Sequence, residues 1–344
     1  MSNKFTPMKD IANFNLLEYN TFGIDANCRR FVEFENENEV TPFICSLTDD
    51  DMPLLILGGG SNLLLTKDYD GTVIHSAIKG VESSCDNGFV YLTCGSGEKW
   101  DDIVALCIDH GWYGAENLSL IPGDVGATAV QNIGAYGAEV KDLIWSIDAI
   151  DMATGLRVTI PKSDCEYGYR DSRFKHDWKN KYFIISVTYR LSETFKPMLN
   201  YGNIMEQLHA AGIENPTAKQ MRQIIINIRN AKLPDPKVEG NAGSFFVNPV
   251  VTNEVCQKLK DSYPNMQSFE VDEGHSKIPA AWLIEQCGWK GRSLGRAGVS
   301  DRQALVLVNK GGASGMEVLK LCEAIREDVL GKFGIKIFTE VNII

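Results

Sequence analysis

The sequence predicts a mixed α+β chain of two or three domains, and three observations carry that reading. The chain has 344 residues, enough for more than one buried core. Short apolar runs stop again and again at glycine, as at Pro53–Leu57 before Gly58-Gly59-Gly60 and at Phe89–Thr93 before Gly95-Ser96-Gly97. A smaller number of stretches repeat apolar residues at three/four spacing, and the two prolines of Lys232-Leu233-Pro234-Asp235-Pro236 mark a boundary.

Composition bounds the function classes. Hydrophobic content of 44% and charged content of 23% are ordinary for a water-soluble globular enzyme. No apolar run approaches a membrane span. The N-terminal Met-Ser-Asn-Lys-Phe-Thr-Pro lacks the apolar core of a secretory signal, so a cytoplasmic protein is expected, without membrane partners. The nine cysteines are scattered without a Cys-x-x-Cys pair, which predicts reduced, mostly buried thiols. The histidines at 75, 110, 176, 209 and 275 lack metal-ligand spacing, so no metal is expected. A net charge of −11 without a basic stripe argues against nucleic acid. An anionic small molecule would need locally placed Lys and Arg.

In chain order, Asn20-Thr21-Phe22-Gly23 is a turn feeding a strand. Trp100, Ile103, Val104, Cys107 and Ile108 predict a helix over 98–110. Strands follow at 143–160 and 183–191. Met221, Ile224, Ile225 and Ile228 line a helix face. Pro279 to Gly288 reads as an apolar helix closed by glycine, and 315–332 as a second. Strands are expected at 304–308 and 335–344.

Four stretches carry candidate chemistry. Gly240 to Pro249 sets a lone hydroxyl, Ser244, between a glycine and two aromatics. Gly243 leaves room there for a backbone or ligand, and Phe245 and Phe246 supply apolar walls. Leu57-Gly58-Gly59-Gly60-Ser61-Asn62 has more glycine than a turn needs, and its amides suit a pyrophosphate. It is not the dinucleotide fingerprint, because Leu63 stands where the third glycine would be. No Gly-Lys-Ser/Thr of a phosphate-loop NTPase is present either. Residues 123–138 hold four glycines and four alanines, which underfills a core unless something flat and large takes the space. Lys290-Gly291-Arg292 forms a basic turn.

Together Leu57–Asn62, Ile121-Pro122-Gly123 through Gln131-Asn132-Ile133-Gly134-Ala135-Tyr136-Gly137, Tyr169-Arg170-Asp171-Ser172, Gly240–Pro249 and Glu340 closely resemble the UDP-N-acetylenolpyruvoylglucosamine reductase family. The resemblance runs in register over residues 19–344. It implies a two-part FAD-binding domain of the vanillyl-alcohol-oxidase (PCMH) type, followed by a smaller α+β substrate domain. Residues 1–68 with 334–344 would form one FAD-binding subdomain and 69–200 the other. Residues 201–231 would be a tyrosine-bearing loop with its connecting helix, and 232–333 the substrate domain. The implied activity is that of an FAD-dependent oxidoreductase of peptidoglycan synthesis. NADPH would be the reductant, an enolpyruvyl ether would become a lactyl ether, and the protein would act as a monomer on small molecules.

By the same resemblance, Ser244 is the proton donor, Arg170 the clamp on the enolate or carboxylate, and Glu340 the third catalytic partner. Leu57, Gly58, Gly59, Gly60, Ser61, Asn62, Pro122, Gly123, Gly126, Ala127, Gln131, Asn132, Gly134, Ala135 and Tyr136 would hold FAD, non-covalently. Tyr169, Tyr201, Lys232, Asn248, Lys290 and Gln303 would contact substrate. Strand alternation is expected to set Phe338, Glu340 and Ile344 on one face, with the carboxylate among apolar neighbours. The chain departs from the family pattern at Asp124, Thr128-Ala129 and Val247. A flavin oxidase of the same fold and a non-catalytic sugar-nucleotide binder are the alternative readings.

Overall fold

The computed structural model describes residues 8–344; the segment Met1–Pro7, on which the missing secretory core was read, lies outside it. The chain forms two compact units. One runs up to Phe14 and adds Cys28–Gly59 and Asp70–Arg229. The other is Asn15–Asn27, Gly60–Tyr69 and Asn230–Ile344.

The first unit is built on two sheets. A four-stranded sheet has the order Lys9–Asn15, Asn27–Phe34, Tyr69–Ser76, Leu54–Leu57, its last pair parallel. A five-stranded antiparallel sheet has the order Arg157–Pro161, Ile144–Asp151, Tyr182–Ser192, Phe89–Gly95, Val81–Asp86. The inward residues of its central strands, among them Val90, Leu92, Ile147 and Val187, share a core with Trp100, Ile103, Val104 and Cys107 of the helix Trp100–His110. Gly111 in the left-handed region ends that helix. Ile204, Leu208, Met221, Ile224, Ile225 and Ile228 close a smaller core between the helices Ile204–Ala210 and Ala218–Lys232.

The second unit centres on an antiparallel sheet of order Gly240–Ser244, Val306–Asn309, Ala297–Val299, Ser293–Leu294. Helices Ala280–Gln286 and Gly315–Phe333 also belong to it. The longer helix begins with Ser314 and Glu317 in a reciprocal capping box and ends at Gly334. Strand Asn342–Ile343 pairs in parallel with Leu63–Leu64.

Four expectations are corrected. Residues Val125–Gln131 form a short helix inside the small-residue stretch, where no helix was expected. The strand expected from 304 begins at Val306. The terminal strand is far shorter than 335–344: alternation buries Ile335 and Ile337, but a ladder forms only at Asn342–Ile343 and as a bridge at Thr339. Glu340 shares parity with Phe338, and Phe338 is 62% exposed, so that face of the strand is not an apolar interior.

All nine cysteines are free; six are buried, while Cys45 and Cys85 are exposed and Cys287 is half-buried. Among the described residues no helix is long and apolar enough to cross a membrane.

Candidate active site

In the first unit two loops meet through backbone alone. A Cβ on Gly59 would stand 3.0 Å from Gly123 Cα, and one on Gly58 3.2 Å from Ala127 Cβ. Gly60, in the second unit, is held at φ +62°, where a Cβ would come within 2.0 Å of the Tyr19 carbonyl oxygen. The glycine triplet therefore serves the protein's own close packing, a requirement the sequence reading had assigned to a ligand alone. Gly58, Gly59 and Gly123 remain half-exposed, so their joint surface is peptide with no side chain over it. Asp124 lies beneath. Its Oδ1 accepts from Lys99 Nζ at 2.6 Å. Its Oδ2 is out of contact with solvent, has no hydrogen-bond partner among the described residues, and sits 3.3 Å from where a Gly59 Cβ would be.

A second group forms around the hairpin Gly134–Glu139. Tyr136 and Gly137 turn it with φ of 49° and 85°, the left-handed pair a two-residue hairpin demands. Arg170 occupies a left-handed position, φ 56°, in a turn closed by reciprocal Gly168–Asp171 backbone bonds of 3.0 and 3.2 Å. For a non-glycine residue this conformation costs on the order of 1 kcal/mol, which the surrounding turn must offset. The Arg170 guanidinium donates to the Gly134 carbonyl and lies 5.6 Å from the Tyr169 ring centre. Gly134 is required there, because a Cβ would come within 2.8 Å of the Ala138 carbonyl oxygen as well as 2.6 Å of Arg170 Nη1.

The segment carrying Tyr201 backs onto the same hairpin. Asn117 Nδ2 bridges the carbonyls of Tyr136 and Met198 at 2.9 and 3.0 Å, and Tyr201 Cβ lies 3.3 Å from the Cβ position of Gly137. Arg170, Tyr136, Tyr169 and Tyr201, far apart in sequence, thus belong to one neighbourhood. Asn132 supports it from below. Its buried amide donates to the Gly168 carbonyl at 2.6 Å and accepts from Lys141 N, which engages the side chain within the protein.

In the second unit Ser244 ends its strand at a register shift against Val306. Gly243, at φ +67°, makes that bulge possible, and a Cβ on it would touch nothing within 4 Å. It re-aims Ser244, and of the two expected neighbours no backbone comes close, while the space beside it is open. The close approach falls three residues earlier, where a Gly240 Cβ would meet the Phe22 carbonyl at 2.2 Å. Asn241 clasps the turn through the carbonyls of Pro234 and Glu239. Beyond Ser244 the chain meets the terminal segment: Glu340 N donates to Phe245 O and Val247 N to Phe338 O, both at 2.9 Å. Asn62 Nδ2 donates to the Glu340 carbonyl at 3.3 Å. Ser244, Asn62 and Glu340 are thereby brought together from three distant parts of the chain, while Arg170 belongs to the first unit.

The same unit holds a cleft of about 340 Å³ lined by Lys232, Trp282, Lys290, Arg302 and Gln303, with Asn265, Gln267 and Glu285. Three cations face one carboxylate, a local positive field in a chain of net charge −11. Lys290 Nζ contacts Glu285 at 2.9 Å, an exposed pair that an anionic ligand can displace at little cost. Asn248 does not line the cleft. Its Oδ1 accepts from Ala280 N at 2.9 Å and caps the helix Ala280–Gln286. Trp282 and Arg302 escaped the sequence reading, because an amphipathic helix and a loop charge give no signal of facing one another.

Comparison with known proteins places these features. Residues 28–160 match the family model described as an FAD binding domain, and the class is that of FAD-dependent oxidoreductases. Residues 235–344 match the C-terminal domain of UDP-N-acetylenolpyruvoylglucosamine reductase. A reductase of that name from Bacteroides fragilis (strain YCH46) is 49% identical over 96% of this chain and 99% of its own. Those of Flavobacterium johnsoniae and Burkholderia mallei (strain NCTC 10229) are 44% and 42% identical over 97% and 99% of this chain and 99% of each relative. The chain belongs to the UDP-N-acetylenolpyruvoylglucosamine reductase family. The crystal structure of such a reductase from Thermus caldophilus shares the fold, with a TM-score of 0.67 at 20% identity, over 98% of this chain and 99% of that one.

The residues present fit FAD. Two side-chain-free loops offer half-exposed backbone, and the partnerless Asp124 Oδ2 can accept from a ligand hydroxyl.

Proposed function

We propose that the protein reduces UDP-N-acetylenolpyruvoylglucosamine to UDP-N-acetylmuramate for peptidoglycan synthesis. The observation that carries the reading is the second unit's backbone bond from Glu340 N to the carbonyl of Phe245, the residue after the re-aimed Ser244, in a unit that also holds the three-cation cleft. The loops at 57–62 and 122–136 would hold FAD non-covalently, and the flavin, reduced by NADPH, would supply a hydride. The chain's own residues do the rest. Lys232, Lys290 and Gln303 hold the diphosphate, whose charge matches the cleft, and Tyr201 and Tyr169 cover the substrate. Arg170 clamps the carboxylate in a fixed plane.

Hydride addition to the terminal vinyl carbon breaks the C=C π bond and leaves an electron pair on the neighbouring carbon, delocalised into the carboxylate. Ser244 Oγ delivers the proton to that carbon and recovers one from solvent. A serine is a weak acid, so it acts here only because the acceptor is strongly basic and the donor well placed. Glu340 assists the protonation and holds the enolate site in register. The reading takes the protein as a cytoplasmic monomer.

Anaerobic reduction of the flavin by NADPH, followed by reoxidation with the enolpyruvyl sugar nucleotide, tests this. Stoichiometric reoxidation is expected. A flavin that only oxygen reoxidises would point to an oxidase, and a colourless protein to a binding module.

A further inference from the structure

Arg170 stands where a turn normally places glycine. Of the two central residues of the turn Gly168–Asp171, only Arg170, its third residue, has a positive φ, and glycine is the usual occupant of that position. Glycine could not serve here, because it is the Arg170 side chain that reaches the Gly134 carbonyl. An arginine must therefore be held in a backbone conformation that it would otherwise leave.

A lysine five residues on supplies the hold. Lys175 Nζ donates to the Arg170 carbonyl oxygen at 2.8 Å. The N–H of the same peptide group, that of Asp171, donates to Gly168 O at 3.2 Å. Both poles of the peptide that follows Arg170 are thus bound, and it cannot rotate without losing one bond or the other. A hydrogen bond from an ammonium is roughly twice as strong as one from a neutral donor. Among the described residues Lys175 makes no ion pair and no other side-chain hydrogen bond. The lysine is itself fixed. The short 3₁₀ turn Arg173–Lys175 is closed by bonds from Lys175 N to Ser172 O and from His176 N to Arg173 O, both 3.0 Å. Buried Ser172 donates its hydroxyl to Val130 O at 2.7 Å, and Phe174 and Trp178 belong to the first unit's core. His176 also contacts Asp171 at 2.8 Å, but that pair is exposed and solvent screens it.

We propose that Lys175 is a positioning residue for the carboxylate clamp, locking Arg170 in the left-handed conformation from which its guanidinium is directed. This rests on the reductase reading above.

The test uses the FAD-loaded enzyme with Lys175→Met and Lys175→Gln, which keep much of the stem without the charge, and Lys175→Arg, which keeps a cationic donor. Reoxidation by the enolpyruvyl sugar nucleotide is expected to slow about 10- to 10²-fold in the two uncharged variants, the loss of one charge-assisted hydrogen bond. Flavin content and flavin reduction by NADPH should hold, and Lys175→Arg should recover most of the rate. In an Arg170→Met background Lys175→Met should slow reoxidation no further, because its effect passes through the residue already removed. Losses that multiply in the double variant would overturn the proposal by giving Lys175 a role independent of Arg170. Normal reoxidation in both uncharged variants would overturn it by leaving the bond idle. Lost flavin, or equal slowing of both half-reactions, would overturn it by assigning the lysine to the fold alone. If wild-type enzyme is not reoxidised by the sugar nucleotide, the parent reading fails instead.

Discussion

On the reading proposed above, the glycine loops of the first unit and the cleft of the second would recognise ligands in opposite ways. Around Gly58, Gly59 and Gly123 recognition depends on what the residues lack, because two backbones touch there and leave bare peptide at the surface. Around Lys232, Lys290, Arg302 and Gln303 it depends on long side chains projecting into about 340 Å³ of open space. A backbone-built site is damaged by adding atoms and tolerates little variation. A side-chain-built site is damaged by removing them and loses function in increments. The residues proposed for the chemistry, Ser244 and Glu340, lie in the second unit on segments fixed by a bulge and a short backbone ladder.

The largest effect should come from that reacting pair, and it should leave the first unit's function untouched. Ser244→Ala is expected to slow reoxidation by the substrate about 10²- to 10⁴-fold while NADPH reduces the flavin at the normal rate. Glu340→Gln, which keeps volume and hydrogen bonding, should cost at least about 10²-fold in the same half-reaction. Stopped-flow traces of each half-reaction separate the outcomes. If both halves slow together in either variant, the residue is structural and the contrast between the units collapses.

Next comes the backbone-built site. Gly59→Val adds atoms where Gly123 Cα already lies 3.0 Å from the Cβ position. The flavin-to-protein ratio after purification should fall to a small fraction of wild type. The collision is with the protein's own loop, so thermal unfolding of the flavin-free protein must be compared as well. A variant that keeps its full flavin complement removes this loop from the cofactor site.

Smaller again is the effect on the cleft. Lys290→Met removes one of three cations and frees Glu285 to face the diphosphate. KM for the sugar nucleotide should rise about 10-fold with kcat nearly unchanged, the signature of binding lost equally in ground and transition states. A fall in kcat with constant KM would move Lys290 into the chemistry.

Much of this contrast was legible in the sequence, for local reasons. Ser244 stands out because its neighbours are consecutive. Helices Trp100–His110 and Gly315–Phe333 declare themselves by periodicity and by a closing glycine. What escaped depends on where the chain returns. Gly243 and Gly240 look alike in sequence, yet one supplies a positive φ and the other lets Phe22 approach. Asn248 looks like a polar contact beside Ser244 but caps a helix 32 residues on. Alternation at 335–338 was genuine, but a strand needs a neighbour, and only Asn342–Ile343 has a ladder.

The smallest effect lies away from both sites and tests the frame that carries the cleft. Glu317 opens the helix Gly315–Phe333. Its carboxylate accepts from Arg296 Nη2 at 2.9 Å and from Ser314 N at 2.9 Å. The Arg296 fork, the Ser314 amide and its hydroxyl together hold its pKa down to about 2, from an ordinary 4.5. A carboxyl depressed in the folded state contributes stability that is fully present above its unfolded pKa and is lost as pH falls through the folded one. The contribution should therefore be intact above about pH 4.5 and gone near pH 2. Glu317→Gln keeps a hydrogen-bonding side chain but removes the charge, so urea midpoints of wild type and variant should differ at pH 7 and converge as pH falls through that window. The gap at pH 7 should be small, because Arg296 is largely exposed and solvent screens the pair. Midpoints that stay equally far apart at pH 7 and pH 2 would show that Glu317 acts through packing, and that the capping charge contributes nothing to this helix.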